Sequence, residues 1–72
     1  MQKLAKRFGQ VLRKRREKAG ISQEALAAKA DLHRNYVGLL ERGKRVPTIV
    51  VVQQLAKVLG TSMSELLAEV ES

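Results

Sequence analysis

The stretch that decides the fold is SQEALAAKADLHRNYVGLLERG, Ser22 to Gly43. It reads as two short helices joined by a tight turn. Ser22 suits an N-cap, because its hydroxyl can accept from an amide one turn further on. The first of the two helices then runs from about Gln23 to Ala30, Asp31 and Leu32 make the turn, and the second runs from about Arg34 to Glu41 until Gly43 closes it. Ala27 is small where the pair must cross. Leu26, Ala30, Leu32, Val37 and Leu40 are apolar where it must pack on the rest of the chain. At about 100° per residue, Val37, Leu40 and Tyr36 share one side of the second helix, and Arg34, Asn35, Gly38, Leu39 and Arg42 share the other. Leu39 is then an apolar residue on a polar face, which solvation alone does not explain.

Working outward, the flanks also read as helices. Leu4, Phe8, Val11 and Leu12 recur at helical spacing from about Leu4 to Ala19, and Gly20 stops that segment. A fourth helix begins at Thr48 after Pro47 and ends before Gly60. Its Ile-Val-Val-Val opening has strand propensity, but Val52, Leu55, Ala56 and Leu59 keep the helical period. Being almost wholly apolar, it is expected to be the central core element. A fifth opens with Ser62-Met63-Ser64-Glu65, a capping-box pattern, and continues through Leu66, Leu67 and Val70. The expectation is an all-α, compact five-helix domain spanning residues 1–72, with the two-helix motif at about 22–43. A chain of 72 residues exposes roughly 11,600 Å² unfolded and roughly 4,500 Å² folded, enough for one small core and no second domain.

Composition removes most function classes. With no Cys and a single His, a disulfide framework, a thiolate metal site or a His cluster cannot be built. No uninterrupted apolar run exceeds that of Ile49 to Val52, far from a membrane span, and the polar, basic N-terminus lacks a secretory pattern, so a cytoplasmic setting is expected. Phe8 and Tyr36 are the only aromatics, too few for a base-stacking platform. No His–carboxylate constellation, paired acids or Gly-rich phosphate loop suggests an enzyme, and no cofactor, metal or small-molecule effector is implied. The net charge is +7, from 14 Lys plus Arg against 7 Asp plus Glu. It is uneven: eight cations and one acid lie between Met1 and Gly20, against three acids and no cation between Gly60 and Ser72. Such a field attracts polyanions, nucleic acid foremost, although a solvated face gives the same pattern.

The Ser22 to Gly43 stretch resembles the helix-turn-helix of the phage-repressor or Xre-like regulators, and the similarity extends over roughly Arg13 to Leu67. Within that family, Leu32-His33-Arg34-Asn35-Tyr36 followed by Glu41-Arg42-Gly43 looks most like the controller proteins of restriction–modification systems. One departure is Asp31, where the family usually has Gly in the turn. Asp tolerates the left-handed backbone needed there better than most residues.

The resemblance implies double-stranded DNA as partner, with the second helix of the motif in the major groove. Arg34 and Asn35 have the donor geometry to read guanine and adenine edges. His33 either caps the helix or reads a base. Tyr36 either touches DNA or packs inward. Gly38 would permit close approach, and Leu39 would meet a thymine methyl. Gln23 matches the family's phosphate-binding Gln, at a helix start suited to anions. Arg42, Lys44 and Arg45 would neutralise phosphates, and Thr48 either joins them or caps the fourth helix. Arg16 and Glu41 occupy positions that pair in family members. The Arg13-Lys14-Arg15 run reads as a solvated face with long-range attraction to DNA. Met63, Leu66, Leu67 and Val70, with the end of the fourth helix, either pack the core or form a homodimer surface. A dimer would place two recognition helices about 34 Å apart on a palindromic operator. The family further implies a bacterial or phage setting and control by concentration: cooperative occupation of adjacent sites, activation at low level and repression at high level. A phage-type repressor, an antitoxin, or an interaction module that has lost DNA binding remain alternatives.

Overall fold

Five helices follow one another in a computed structural model that describes residues 2–72. They are α1 (Gln2–Lys18), α2 (Gln23–Lys29), α3 (Arg34–Glu41), α4 (Ile49–Val58) and α5 (Met63–Glu71), with no strand among the described residues. Each start after α1 is capped by the residue before it. Ser22 Oγ accepts from Ala25 N at 3.0 Å, His33 Nδ1 from Asn35 N at 3.1 Å, and Thr48 Oγ1 from Val51 N at 3.1 Å. At α5 the exchange is reciprocal, since Ser62 Oγ accepts from Glu65 N and Glu65 Oε1 accepts from Ser62 N. Capping satisfies amide donors that a helix cannot satisfy within itself.

The ends are equally regular. After each of α1 to α4 one residue takes positive φ: Gly20, Asp31, Gly43 and Gly60. The next amide then reaches back a full turn, as in Leu32 N to Ala27 O at 2.8 Å and Lys44 N to Leu39 O at 2.9 Å. Asp31 does this at φ 59°, a conformation that costs an L-residue roughly 1–2 kcal/mol and that short polar side chains tolerate best.

Phe8 and Leu12 of α1, Leu26 and Ala27 of α2, Val37 and Leu40 of α3, Val52, Leu55 and Ala56 of α4, and Leu66 and Val70 of α5 form one core. α3 rests chiefly on α1 and α2, while α5 closes the bundle against α1 and α4. The α1–α3 contact is close because Gly9 is buried there. A Cβ on Gly9 would run into the main-chain carbonyl oxygens of Leu40 and Glu41. The loop after α3 is also drawn onto α1, where a Cβ on Gly43 would lie 2.8 Å from Lys6 Cα.

Three expectations change at this level. α4 is not the central element: Val52, Leu55 and Ala56 are inside, but Ile49 is 71% exposed and Val50 60%. A helix buries only the stripe that recurs every three to four residues, so four consecutive apolar residues cannot all face inward. Leu4 lies outside the inward stripe of α1 and Ala5 takes the inner position. Leu66, named for a homodimer surface, is fully inside the chain's own core, and Val70 is buried there too, reaching the surface only at the floor of a groove.

Candidate nucleic-acid interface

α3 presents its first turn to solvent. Arg34 and Asn35 are exposed, Tyr36 and Leu39 half-buried, and Val37 and Leu40 hold the helix to the core. Tyr36 is packed against that core along part of its surface. His33 stands exposed at the helix entrance, with Nδ1 taken by the cap. The Arg34 guanidinium meets only Glu24, Nη1 to Oε2 at 3.6 Å, with both side chains largely in solvent. A pair of this kind contributes about 0–1 kcal/mol and yields readily to a better anion or base edge.

Gly38 departs from its expected role. It is buried, and a Cβ there would touch the chain's own polar side chains, Arg42 Nη1 at 3.4 Å and Gln23 Oε1 at 3.6 Å. These are ordinary contact distances, so the cover over Gly38 consists of two flexible polar side chains, one from the end of α3 and one from the start of α2.

Behind this surface lies a buried ionic network. Arg16 Nε donates to Glu41 Oε2 at 2.6 Å and Nη2 to Oε1 at 3.1 Å, while Nη1 donates to the Ile21 carbonyl at 2.9 Å. The side chains of Arg16 and Glu41 are 11% and 3% exposed. The Glu41 hydrogen bond holds the Arg16 pKa above its ordinary, already strongly basic value, against a lowering by burial. Gln23 joins the network, its Nε2 donating to Glu41 Oε1 at 2.9 Å. The expected Arg16–Glu41 pairing is therefore accompanied by a link that the sequence did not suggest: Glu41 also fixes the amide at the N-terminus of α2. Pairing eighteen positions apart leaves no periodic trace. Gly9 carries a signal of its own, since a lone Gly inside a helical pattern commonly marks a close packing contact.

Beyond α3, Arg42, Lys44 and Arg45 are exposed in the loop to α4, and Thr48 is exposed with its hydroxyl engaged as the α4 cap. In the Arg13-Lys14-Arg15 run, Arg13 and Lys14 are exposed, Arg13 in a solvent-facing pair with Glu17 at 3.1 Å, whereas half-buried Arg15 ties α1 to α5 through Glu69 at 2.7 Å. Of the four residues expected at a dimer surface, Met63 is half-buried and Leu67 is 38% exposed. Leu4, Val46, Ile49 and Val50 are also exposed, and Leu4, Val46 and Leu67 line a shallow groove of about 390 Å³ floored by Phe8 and Val70. The exposed apolar residues of α4 lie at its start, not its end. Among the described residues no helix is long and apolar enough to cross a membrane.

The two-helix unit, its exposed first turn and the cations beyond it define a class. Residues 12–66 match the helix-turn-helix family, and the chain belongs to it, in the phage-repressor or Xre-like branch of DNA-binding transcriptional regulators. Within that family the chain is similar to restriction–modification control proteins. It is 42% identical over 66 residues to control protein C.MunI of a Mycoplasma species, covering 90% of this chain and 89% of the relative. It is 41% identical over 61 residues to control protein C.BamHI of Bacillus amyloliquefaciens, covering 83% and 75%. The crystal structure of the restriction–modification controller protein C.AhdI from Aeromonas hydrophila superposes with a TM-score of 0.84 at 44% identity, over 86% of this chain and 94% of that one.

Proposed function

We propose that the chain acts as a single unit, residues 1–72, that controls transcription of restriction–modification genes by binding a two-fold symmetric operator as a homodimer in the cytoplasm. The observation that carries this reading is the exposed first turn of α3. There a guanidinium and a carboxamide, Arg34 and Asn35, project from a helix otherwise fixed to the core. Arg34 reads guanine and Asn35 adenine, with His33, Tyr36 and Leu39 beside them at the groove. Gln23, Arg42, Lys44, Arg45 and Thr48 neutralise or bind phosphates. The similarity to control proteins supports the choice of regulated genes. The exposed apolar side chains of Ile49, Val50 and Leu67 support self-association, and pairing makes protein concentration the switch. The chain carries out no catalysis in this scheme: its work is selective binding.

Equilibrium binding to duplexes from upstream of its own gene tests the reading. A protected, sequence-specific site is expected, with affinity falling steeply as salt rises. Arg34→Ala should cost about 1–3 kcal/mol and relax preference at one base pair, whereas Lys44→Ala should weaken all sequences alike. Equal, weak binding to every duplex would show that the fold has been kept as an interaction module.

A further inference from the structure

Four cations surround a cleft that none of the proposed base readers enters. Lys6 of α1 stands on one side, and Arg42, Lys44 and Arg45 on the other, around a volume of about 520 Å³. The cleft exists because Gly43, at φ 72°, lets the loop lie directly against α1; any Cβ there would meet the main chain of Lys6. All four cations are exposed, and among the described residues none makes an ion pair. The arginines of α1 behave differently. Arg13, Arg15 and Arg16 are held by carboxylates, and Arg7 donates to the Ser72 main-chain oxygen at 2.9 Å. Like charges brought together around a concave surface repel one another and concentrate a field that favours an anion.

The geometry points to a phosphate-binding cleft in which Lys6, with Arg42, Lys44 and Arg45, takes a backbone phosphodiester of the DNA duplex. The choice of a duplex phosphate over a free one follows from continuity. Arg42 Nη1 and Gln23 Oε1 both lie within 4 Å of the place a Cβ on Gly38 would take, so the cleft continues the line that begins at the N-terminus of α2. α1 then contributes a direct backbone contact and not only the scaffold for α3. A phosphodiester is read here as charge, so the contact adds affinity without base preference.

This inference rests on the DNA-binding reading above. The test measures log K against log salt for the full-length chain with an operator duplex and a scrambled duplex. Each phosphate neutralised contributes a slope of about 0.9 on B-DNA. Lys6→Gln should lower the slope by about that amount and leave the operator-to-scrambled ratio unchanged. Lys6→Arg should restore the slope. Lys14→Gln, which removes an exposed cation elsewhere on α1, should leave it as in the wild type. A wild-type slope in Lys6→Gln overturns the cleft while leaving the DNA-binding reading intact; failure of the wild-type chain to bind either duplex overturns both. Inorganic phosphate at constant ionic strength forms the second arm. If it shields Lys6 while Lys6→Gln leaves the duplex slope unchanged, the cleft takes free phosphate and the proposal fails.

Discussion

The Arg16–Glu41 network sets the sharpest stability expectation. With side chains 11% and 3% exposed and two hydrogen bonds of 2.6 and 3.1 Å, the pair is neither screened nor loosely held. Replacing Glu41 with Ala leaves the Arg16 guanidinium with only the Ile21 carbonyl and strips Gln23 of its acceptor. Removing one partner of a buried pair costs about 3–5 kcal/mol. A chain of 72 residues has a total stability of about 4–11 kcal/mol at typical values per residue. Glu41→Ala should therefore lose at least a quarter of the stability and could lose all of it. Arg16→Met should fall in the same range, because it leaves a buried carboxylate facing one amide. The double variant Arg16→Met/Glu41→Met buries no charge, and such replacements are often neutral; its residual cost is the Ile21 carbonyl and the Gln23 amide left without these partners, about 1 kcal/mol each. Urea unfolding followed by circular dichroism near neutral pH measures all three. The exposed Arg13–Glu17 pair serves as a control, with Glu17→Ala costing less than about 0.5 kcal/mol. The double variant should be more stable than either single. A Glu41→Ala cost below about 1 kcal/mol, or a double-variant cost equal to the sum of the singles, would refute the reasoning.

Gly9→Ala should destabilise by about 1–3 kcal/mol, because the added methyl meets main-chain carbonyls that cannot rotate away; an unchanged or higher melting temperature would mean that the gain in helix propensity, about 1 kcal/mol, wins. Glu65 accepts from the Ser62 amide and the Thr61 and Ser62 hydroxyls, which hold its carboxyl below the ordinary 4.5. A lowered folded pKa adds stability at pH values above the unfolded one and loses it as the pH falls through the folded one. The stability gap between wild type and Glu65→Gln should thus be constant above about pH 5 and shrink on further acidification, which urea titrations at stepped pH would show. Ile49→Asp or Val50→Asp should shift sedimentation from dimer to monomer and weaken operator binding at low protein concentration. Helix content should be unchanged, since both side chains are exposed; an unaltered sedimentation profile would place self-association elsewhere.

The helices were legible because their signals are local. Ser22, Thr48 and Ser62 cap the helices they precede, and Gly20, Gly43 and Gly60 end them. Asp31 shows that the turn demands a backbone conformation more than a particular residue. What could not be read depends on contacts between elements. The wheel of α3 separates Val37 from Arg34 but does not show that Gly38 lies beneath the side chains of Arg42 and Gln23. In the sequence the apolar opening of α4 reads as core, and Leu66 and Val70 read equally as core or surface. Hydrophobicity alone does not say whether an apolar side chain meets its own fold, a second copy or water.

The same limit applies to charge, and there it changes the functional argument. The sequence concentrates cations in α1, which invites the reading that α1 supplies the attraction to DNA. Yet the arginines of α1 are engaged within the chain: Arg7 with the Ser72 oxygen, Arg13 with Glu17, Arg15 with Glu69 and Arg16 with Glu41. The cations without such partners on the α3 side are Arg42, Lys44 and Arg45, and Lys6 is the α1 residue that Gly43 brings to them. Net charge sets the long-range field, but contact with a polyanion falls most readily to cations whose donors are free or held only in exposed, weak pairs. Arg16 thus serves to position α3, and Arg15 to close α5 onto the bundle. In the proposed cleft the grip on a duplex falls to a few cations whose proximity rests on one glycine, so Gly43→Ala should weaken non-specific and specific DNA binding together even though it removes no charge.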